Sequence, residues 1–511
     1  MEKTNNKTIA KNTSLLYFRM LLNMVIALFT SRVILASLGV LDFGIFQIVG
    51  GVVSLLAFLN SALSTGSERF LTYELGTGNR EKLKRTFSTV LTAHIILALF
   101  IVLILETIGL WYLYNKVNIE PERMGAAVFS YHICVLASIF TITQIPYNAS
   151  IISHERMSAF AYISICEALL KLLIAYLLYI SPWDKLKVYS ILYCGVQISI
   201  ALFYRIYCLK FFEETHYSPV TDKSILKEVL SYSGLNLLDN LSVALNNQGA
   251  TLILVAFFNP AVVAARAVAN QANMATHQLM NNFRKAFTPQ VVKLYAAGDQ
   301  IRSRELLLSS TKYSYYMMLC LCFPIVMSAH KILELWLDTV PEYADLFLQV
   351  AVITSLFQSF NSSFYTALQT LGRIKENAII NLILTLQFLP ITYLLFKQGY
   401  SPIAVSIVQM AIYAIISIIV KPLLISKIAA YPMKDIIMVF IPCIKVTILA
   451  LILPLSYRYL IENNLQLSEL SAFIYMTVLS FLSTACAIWL VGLDSDTKAK
   501  LMHFVQNKLC R

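Results

Sequence analysis

Between residues 265 and 287 the chain reads ARAVANQANMATHQLMNNFRKAF. In a helix, Arg266, Asn270, Asn273, His277, Asn281 and Arg284 recur every three or four residues and share one face. The stretch before it, SYSGLNLLDNLSVALNNQGAT, repeats the theme: Ser233, Asn236, Asn240, Asn247 and Thr251 fall in one narrow arc, with Asp239 at its edge. Carboxamides and hydroxyls supply hydrogen bonds, and a guanidinium offers a planar fork of donors that suits phosphate. This set is equipped to hold a polar, anionic guest, with no bond broken.

The solvent around these faces follows from composition. Of 511 residues only 13 % are charged and 58 % are hydrophobic, with a mean hydropathy of +0.69. Soluble globules usually carry about 25 % charge, so the chain belongs in a membrane. Apolar segments long enough to cross about 30 Å of hydrocarbon recur at 13–37, 41–64, 86–112, 124–148, 159–180, 188–210, 230–257, 261–283, 310–330, 344–368, 377–397, 403–425, 435–459 and 469–491, numbered here as spans 1 to 14. The polar N-terminus MEKTNNKTIAKNTS leads into span 1 without a small-residue cleavage pattern, so no removable signal peptide is expected. The net charge of +12 collects in the even-numbered connections, for example Arg80, Lys82, Lys84, Arg85, Lys293, Arg302 and Arg304, and few basic residues lie opposite. That asymmetry predicts both termini in the cytoplasm and argues against a nucleic-acid partner. The nine cysteines have no paired spacing and read as packing residues, without a disulfide or metal framework. The outer connections are short, leaving no room for a catalytic domain.

Inside hydrocarbon, unpartnered polar groups are costly, so the stripes of spans 7 and 8 must face protein or water. Span 1 adds Arg19, Asn23 and Thr30 along one side, and span 2 adds Gln47, Gly50, Ser54, Ala57, Ser61 and Ser64. Four such helices would enclose a hydrophilic cleft. For single Ser, Thr or Asn residues, bonding between helices is the competing reading. Arg19 and Arg266 are the expected anion-binding cations. Arg32 reads more readily as snorkelling to an interface than as a ligand contact, and Lys171 follows Glu167 by four residues, a spacing that suits mutual neutralisation as well as it does ligand contact. Glu106 has no evident partner. Pro324, Pro390, Pro442 and Pro454 mark expected bends. A shift of 220 residues lays spans 1–6 on spans 7–12, with Gly78 on Gly298 and Arg19 on Asp239. The expected fold class is therefore an all-α polytopic membrane protein. About 14 transmembrane helices form two six-helix lobes related by a pseudo-two-fold axis along the membrane normal, plus two C-terminal helices. The expected divisions are 1–220, 221–430 and 431–511.

The opening SLLYFRMLLNMVIALFTSRVILASLGVLDFGIFQ, and within it the LG..DFG pattern from Leu38 to Gly44, resembles the start of bacterial polysaccharide flippases of the multidrug/oligosaccharidyl-lipid/polysaccharide exporter superfamily. The resemblance covers the chain in span number and doubled architecture, while the specific motif is confined to that region. It implies alternating access that carries a polyprenyl-diphosphate-linked oligosaccharide across the bacterial inner membrane for surface polysaccharide assembly, with membrane lipids and other polysaccharide-assembly proteins as partners. Arg19 and Arg266 would draw in the diphosphate. Asn23, Asn236, Asn240, Asn270, Asn273 and His277 would hydrogen-bond sugars, with Lys171 as a further contact. Spans 13 and 14 would hold the lipid tail, although Lys445 in span 13 departs from that picture. No cofactor is expected, and a sodium ion or a proton gradient would supply coupling. The related lipid II flippases bind sodium between spans 7, 11 and 12, which would involve Asp239, Asn377 and Asn381. An Arg19–Asp239 bridge and a purely structural Asp239 are the other readings of that residue. Two rival functions stay open: a cation-coupled multidrug antiporter, which should place acids in the cleft, and a membrane glycosyltransferase or polymerase.

Overall fold

A computed structural model describes residues 2–218, 222–371, 373–459, 468–495, 497–499 and 502. They are helical almost throughout, with no strand among them. Every expected span coincides with a helix or a pair of helices. Spans 1 and 2 run on as one helix, Glu2–Leu55, broken at Gly39, whose φ of 76° is open to glycine without strain. Span 2 then continues through Ala57–Thr77. Arg80–Lys116, Pro121–Ser153, Met157–Ile180 and Lys185–Phe211 form spans 3 to 6. Span 7 is Lys223–Ala244 and Ala250–Phe257 joined by a π turn, Leu245–Gly249, and span 8 is Pro260–Ala296. Span 9, Gln300–Met327, bends by 80° into the short helix Ala329–Trp336 a few residues after Pro324. Span 10 is Ala344–Thr370. Span 11 is Ile374–Leu386 and Phe388–Lys397, interrupted just before Pro390. Ala404–Ile428, Met433–Tyr457 and Glu469–Gly492 complete spans 12 to 14. Pro442 and Pro454 lie within the continuous helix of span 13.

The two halves end their long second helices with the same device. Gly78 (φ 73°) and Gly298 (φ 85°) take the left-handed conformation that terminates a helix. The next residue then caps the following helix: Asn79 accepts from the Lys82 amide at 3.0 Å and Asp299 from the Arg302 amide at 3.1 Å. Pro121 and Pro341, also one repeat apart, each open the approach to a fourth or tenth span.

The chain packs as two compact units. One comprises Met1–Val268, Leu337–Glu342 and Asn381–Pro402. Within it span 1 lies along span 5, span 4 along span 6 and span 2 along span 7. The other comprises Ala269–Trp336, Tyr343–Ile380 and Ile403–Arg511. Its core gathers Leu307, Tyr316, Phe323, Phe360, Phe364, Ile425 and Cys443 from spans 9, 10, 12 and 13. Spans 13 and 14 are anchored to span 9 there. Tyr315 Oη meets Thr447 Oγ1 at 2.8 Å, and Tyr316 donates to the Gly492 carbonyl at 3.1 Å. Outward from this anchoring, Ile441, Ile444, Lys445 and Ile448 form an exposed side of span 13.

Candidate functional site

The cationic site expected on span 1 is assembled inside the first unit. Asn23 Nδ2 donates to Ser164 Oγ at 2.8 Å, and the Arg19 guanidinium lies 4.4 Å from the Phe160 ring centre. Phe160, Ser164, Glu167 and Lys171 step by three and four residues along span 5, which turns them toward span 1. Arg19 Nε and Nη1 and Asn23 Oδ1 are enclosed and make no hydrogen bond among the described residues. Lys171 is committed to Glu167, Nζ to Oε1 at 2.6 Å, so the acid–base spacing read from the sequence forms the pair it allowed. Arg205, at the inner end of span 6, was not singled out from the sequence as a site residue. Its Nη2 donates to Thr143 at 2.7 Å, its guanidinium stands 5.6 Å from the Tyr147 ring, and its Nε is buried without a partner among the described residues. Gln144, where span 4 breaks ahead of Pro146, and Asn148 also keep unpartnered buried oxygens there. The Pro146 interruption was the available signal. It ends one helix at Thr143 and begins another at Ile145, so the side chains around the break serve polar neighbours in place of an uninterrupted packing face.

The polar stripe of span 8 divides among several neighbours. Arg266, 5 % exposed, turns to span 7: Nη1 donates to the Asn247 carbonyl and to Thr251 Oγ1, both at 3.2 Å. Asn270 is exposed and Asn240 half-buried. In the second unit Asn273 Oδ1 accepts from Thr276 Oγ1 at 2.9 Å and lies 3.1 Å from Ser355 Oγ. His277 Nε2 lies 3.0 Å from the same hydroxyl, so Ser355 of span 10 ties both residues together. Asn236, Asp239, Asn281 and Arg284 stand on these helices, but their side chains lie outside the described residues.

The LG..DFG motif acquires a physical meaning at the opposite end of span 1. Gly39 makes the turn. Asp42 Oδ1 accepts from Arg123 Nε at 2.9 Å, while Arg123 Nη1 reaches Asp184 Oδ2 at 2.9 Å. Gly44 faces the Pro260 carbonyl so closely that a methyl group has no room. Arg32, read as snorkelling or ligand-binding, pairs with Asp338 at 2.8 Å, and Glu106 meets His132 Nδ1 at 3.0 Å. All of these contacts belong to the first unit.

Of the three residues expected to hold a coupling cation, Asn377 is buried and accepts a hydrogen bond from Lys421 of span 12. Asn381, one turn further along span 11, is half-buried. Lys421 was not singled out from the sequence.

Comparison with known proteins places these features in a family context. The MatE family model matches residues 17–177 and 241–394, one stretch in each half and more than half of the chain together. No curated protein matched by sequence. Among solved structures, the chain is similar to a lipid II flippase MurJ in an inward closed conformation, with a TM-score of 0.71 and 12 % identity over 92 % of this chain and 97 % of that one. It is also similar to an inward-facing multidrug resistance MATE family transporter of the MOP superfamily, at 0.65 and 15 % over 81 % and 96 %. A third similar structure is a MOP superfamily transporter from Pyrococcus furiosus, described as having a binding pocket of reverse polarity, at 0.52 and 16 % over 83 % and 94 %. At these identities the structural matches speak for the fold.

Proposed function

We propose, from the premise that the chain belongs to the MatE family and is a multi-pass membrane transporter of the MOP superfamily and not an enzyme, that its cargo is a polyprenyl-diphosphate-linked oligosaccharide. The transporter flips this lipid across the bacterial inner membrane by alternating access, with both termini cytoplasmic, for surface polysaccharide assembly. The observation that carries the reading is Arg19. Two of its nitrogens are buried with hydrogen-bonding capacity unspent among the described residues, on a helix packed against span 5, whose nearby acid, Glu167, is already taken by Lys171. A donor left unpaired in a buried place costs about 1–3 kcal/mol, and a phosphate oxygen is the acceptor that recovers it best. Arg205, with an unspent Nε of its own, makes the inner ends of spans 4 and 6 similarly anion-seeking. Asn23 and the exposed Asn270 are suited to sugar hydroxyls. Arg266, Asn273 and His277 support the walls, since their hydrogen bonds go to spans 7 and 10.

The alternative cargo is a cationic drug, as for the multidrug transporters the fold resembles. The unspent nitrogens of Arg19 favour an anionic cargo over a cationic one, since like charges repel. The test is export. Arg19→Ala is expected to stop glycan export, with the lipid-linked oligosaccharide accumulating on the cytoplasmic side while the protein stays in the membrane. Arg19→Lys should restore only part, because the point charge lacks the fork. Normal export by Arg19→Ala, or dye efflux by the wild type that Arg19→Ala leaves untouched, would refute the anionic-lipid reading.

A further inference from the structure

Span 12 carries a charge among apolar neighbours: Lys421 is 1 % exposed. Immediately before it the helix widens into a π turn, Ile416–Val420. Such a turn inserts a residue into the helical register and re-aims the side chains that follow, and it is found often at functional sites. Lys421 ends inside the second unit. Its Nζ donates to Asn377 Oδ1 on span 11 and lies 5.2 Å from the centre of the Tyr365 ring on span 10. Ser417, one turn earlier on the same side of span 12, is fully buried, and its Oγ makes no hydrogen bond among the described residues. A carboxamide oxygen and an aromatic face both present partial negative charge. Three helices thus converge on a place that accepts a cation, and the chain supplies the cation itself.

That arrangement does not fit a sodium ion. Sodium would need Asn377 Oδ1 as a bare oxygen ligand, whereas this oxygen is taken by an ammonium. We propose that Lys421 is the resident cation of the Asn377–Tyr365 place, so that this transporter has no use for sodium there. The tethered ammonium holds span 11 to span 12 in the role a diffusible ion would otherwise fill. The inference does not depend on the cargo.

Thermal unfolding of the detergent-solubilised full chain in sodium chloride and in choline chloride, at equal ionic strength, tests it without any transport substrate. The wild type is expected to melt at the same temperature in both salts. Lys421→Ala exposes Asn377 Oδ1 and should melt several degrees lower, regaining part of the loss in sodium or methylammonium chloride but not in choline chloride. Lys421→Met fills the space without charge and should melt lower with no recovery in either. Where Lys421→Ala gives no folded protein, Asn377→Leu decides: removing the acceptor should lower the melting temperature equally in both salts. A wild type stabilised by sodium over choline, a Lys421→Met protein as stable as the wild type, a Lys421→Ala protein indifferent to small cations, or an Asn377→Leu protein as stable as the wild type would each overturn the proposal.

Discussion

Replacing Gly44 by alanine probes a close backbone approach in the first unit. A Cβ at Gly44 would stand 2.0 Å from the Pro260 carbonyl oxygen and 2.6 Å from its carbon. A carbon–oxygen contact ordinarily needs at least ~3.3 Å, so the new methyl falls about 1.3 Å short. Both opposing atoms are backbone, and no rotamer change relieves them. Either the start of span 2 or the turn between spans 7 and 8 must move as a body. Overpacking of this kind costs about 1–3 kcal/mol, and at about 2–4 °C per kcal/mol in domains of 150–250 residues the melting temperature should drop by several degrees. Gly50 lies on the same helix, and its Cβ would meet nothing within 4 Å. Gly50→Ala is therefore the internal control, expected to be neutral or slightly stabilising because alanine favours the helix by about 0.8–1.0 kcal/mol. The assay is thermal unfolding of the two variants beside the wild type in one detergent. Gly44→Ala melting with the wild type, or both variants falling together, would refute the close-approach argument and with it the reading of the DFG glycine.

Two further outcomes are expected. Partial burial alone would raise the carboxyls of Asp184 and Glu214, but hydrogen bonds from Arg123 and the Lys187 amide to the first, and from His154 to the second, outweigh it and hold both below their ordinary 3.8 and 4.5. Acids depressed in the folded state contribute stability that is fully present above those ordinary values and is lost as pH falls through the lower, folded ones; thermal melts should be level down to about pH 5 and fall below it, and a doubly substituted Asp184→Asn, Glu214→Gln protein should start lower and lose less, an unchanged acid limb counting against these pairs. For orientation, a membrane-impermeant thiol reagent applied outside should label Asn118→Cys and miss Gln300→Cys, both exposed positions; Gln300 is chosen over its neighbour Gly298, whose φ of 85° would strain a cysteine, and the opposite labelling pattern would invert the assigned topology.

Hydropathy located the helices in register because each apolar run must satisfy its own backbone in lipid, yet it ended spans 2 and 8 too early, at 64 and 283. The helices continue to Thr77 and Ala296. A hydropathy boundary marks where lipid stops, whereas a helix stops where its carbonyls are capped, and the caps are Gly78 and Gly298. The same distinction explains the polar stripes. Among the described residues, spans 7, 8 and 10 fall outside the helices apolar enough to cross a membrane by composition, and polar groups on them are used between helices: Arg266 on Asn247, Ser355 on Asn273 and His277. Residue type along one helix was legible. The partner on another helix was not, since nothing in the spacing of span 8 points to Ser355.

The charges in the membrane follow one rule once their partners are known. Glu167 with Lys171, Glu106 with His132 and Arg32 with Asp338 each bring a carboxylate to a base. Only the first of these was readable, because only it lies within one helix. Lys421 and Arg266 are more deeply buried than any of them and are held by contacts with neutral acceptors, Asn377 and Tyr365 for one, Asn247 and Thr251 for the other. A neutral acceptor offsets less of a buried cation's desolvation than a carboxylate does, so Arg266 keeps its positive charge largely unneutralised by the contacts described. Arg19 goes one step further, with two nitrogens that form no hydrogen bond among the described residues. A membrane protein tolerates that gradient, from paired to partly held to unspent, when the least satisfied cation is where the proposed anionic cargo would complete the set. Arg19 is therefore the position at which removing the charge should cost transport most and folding least.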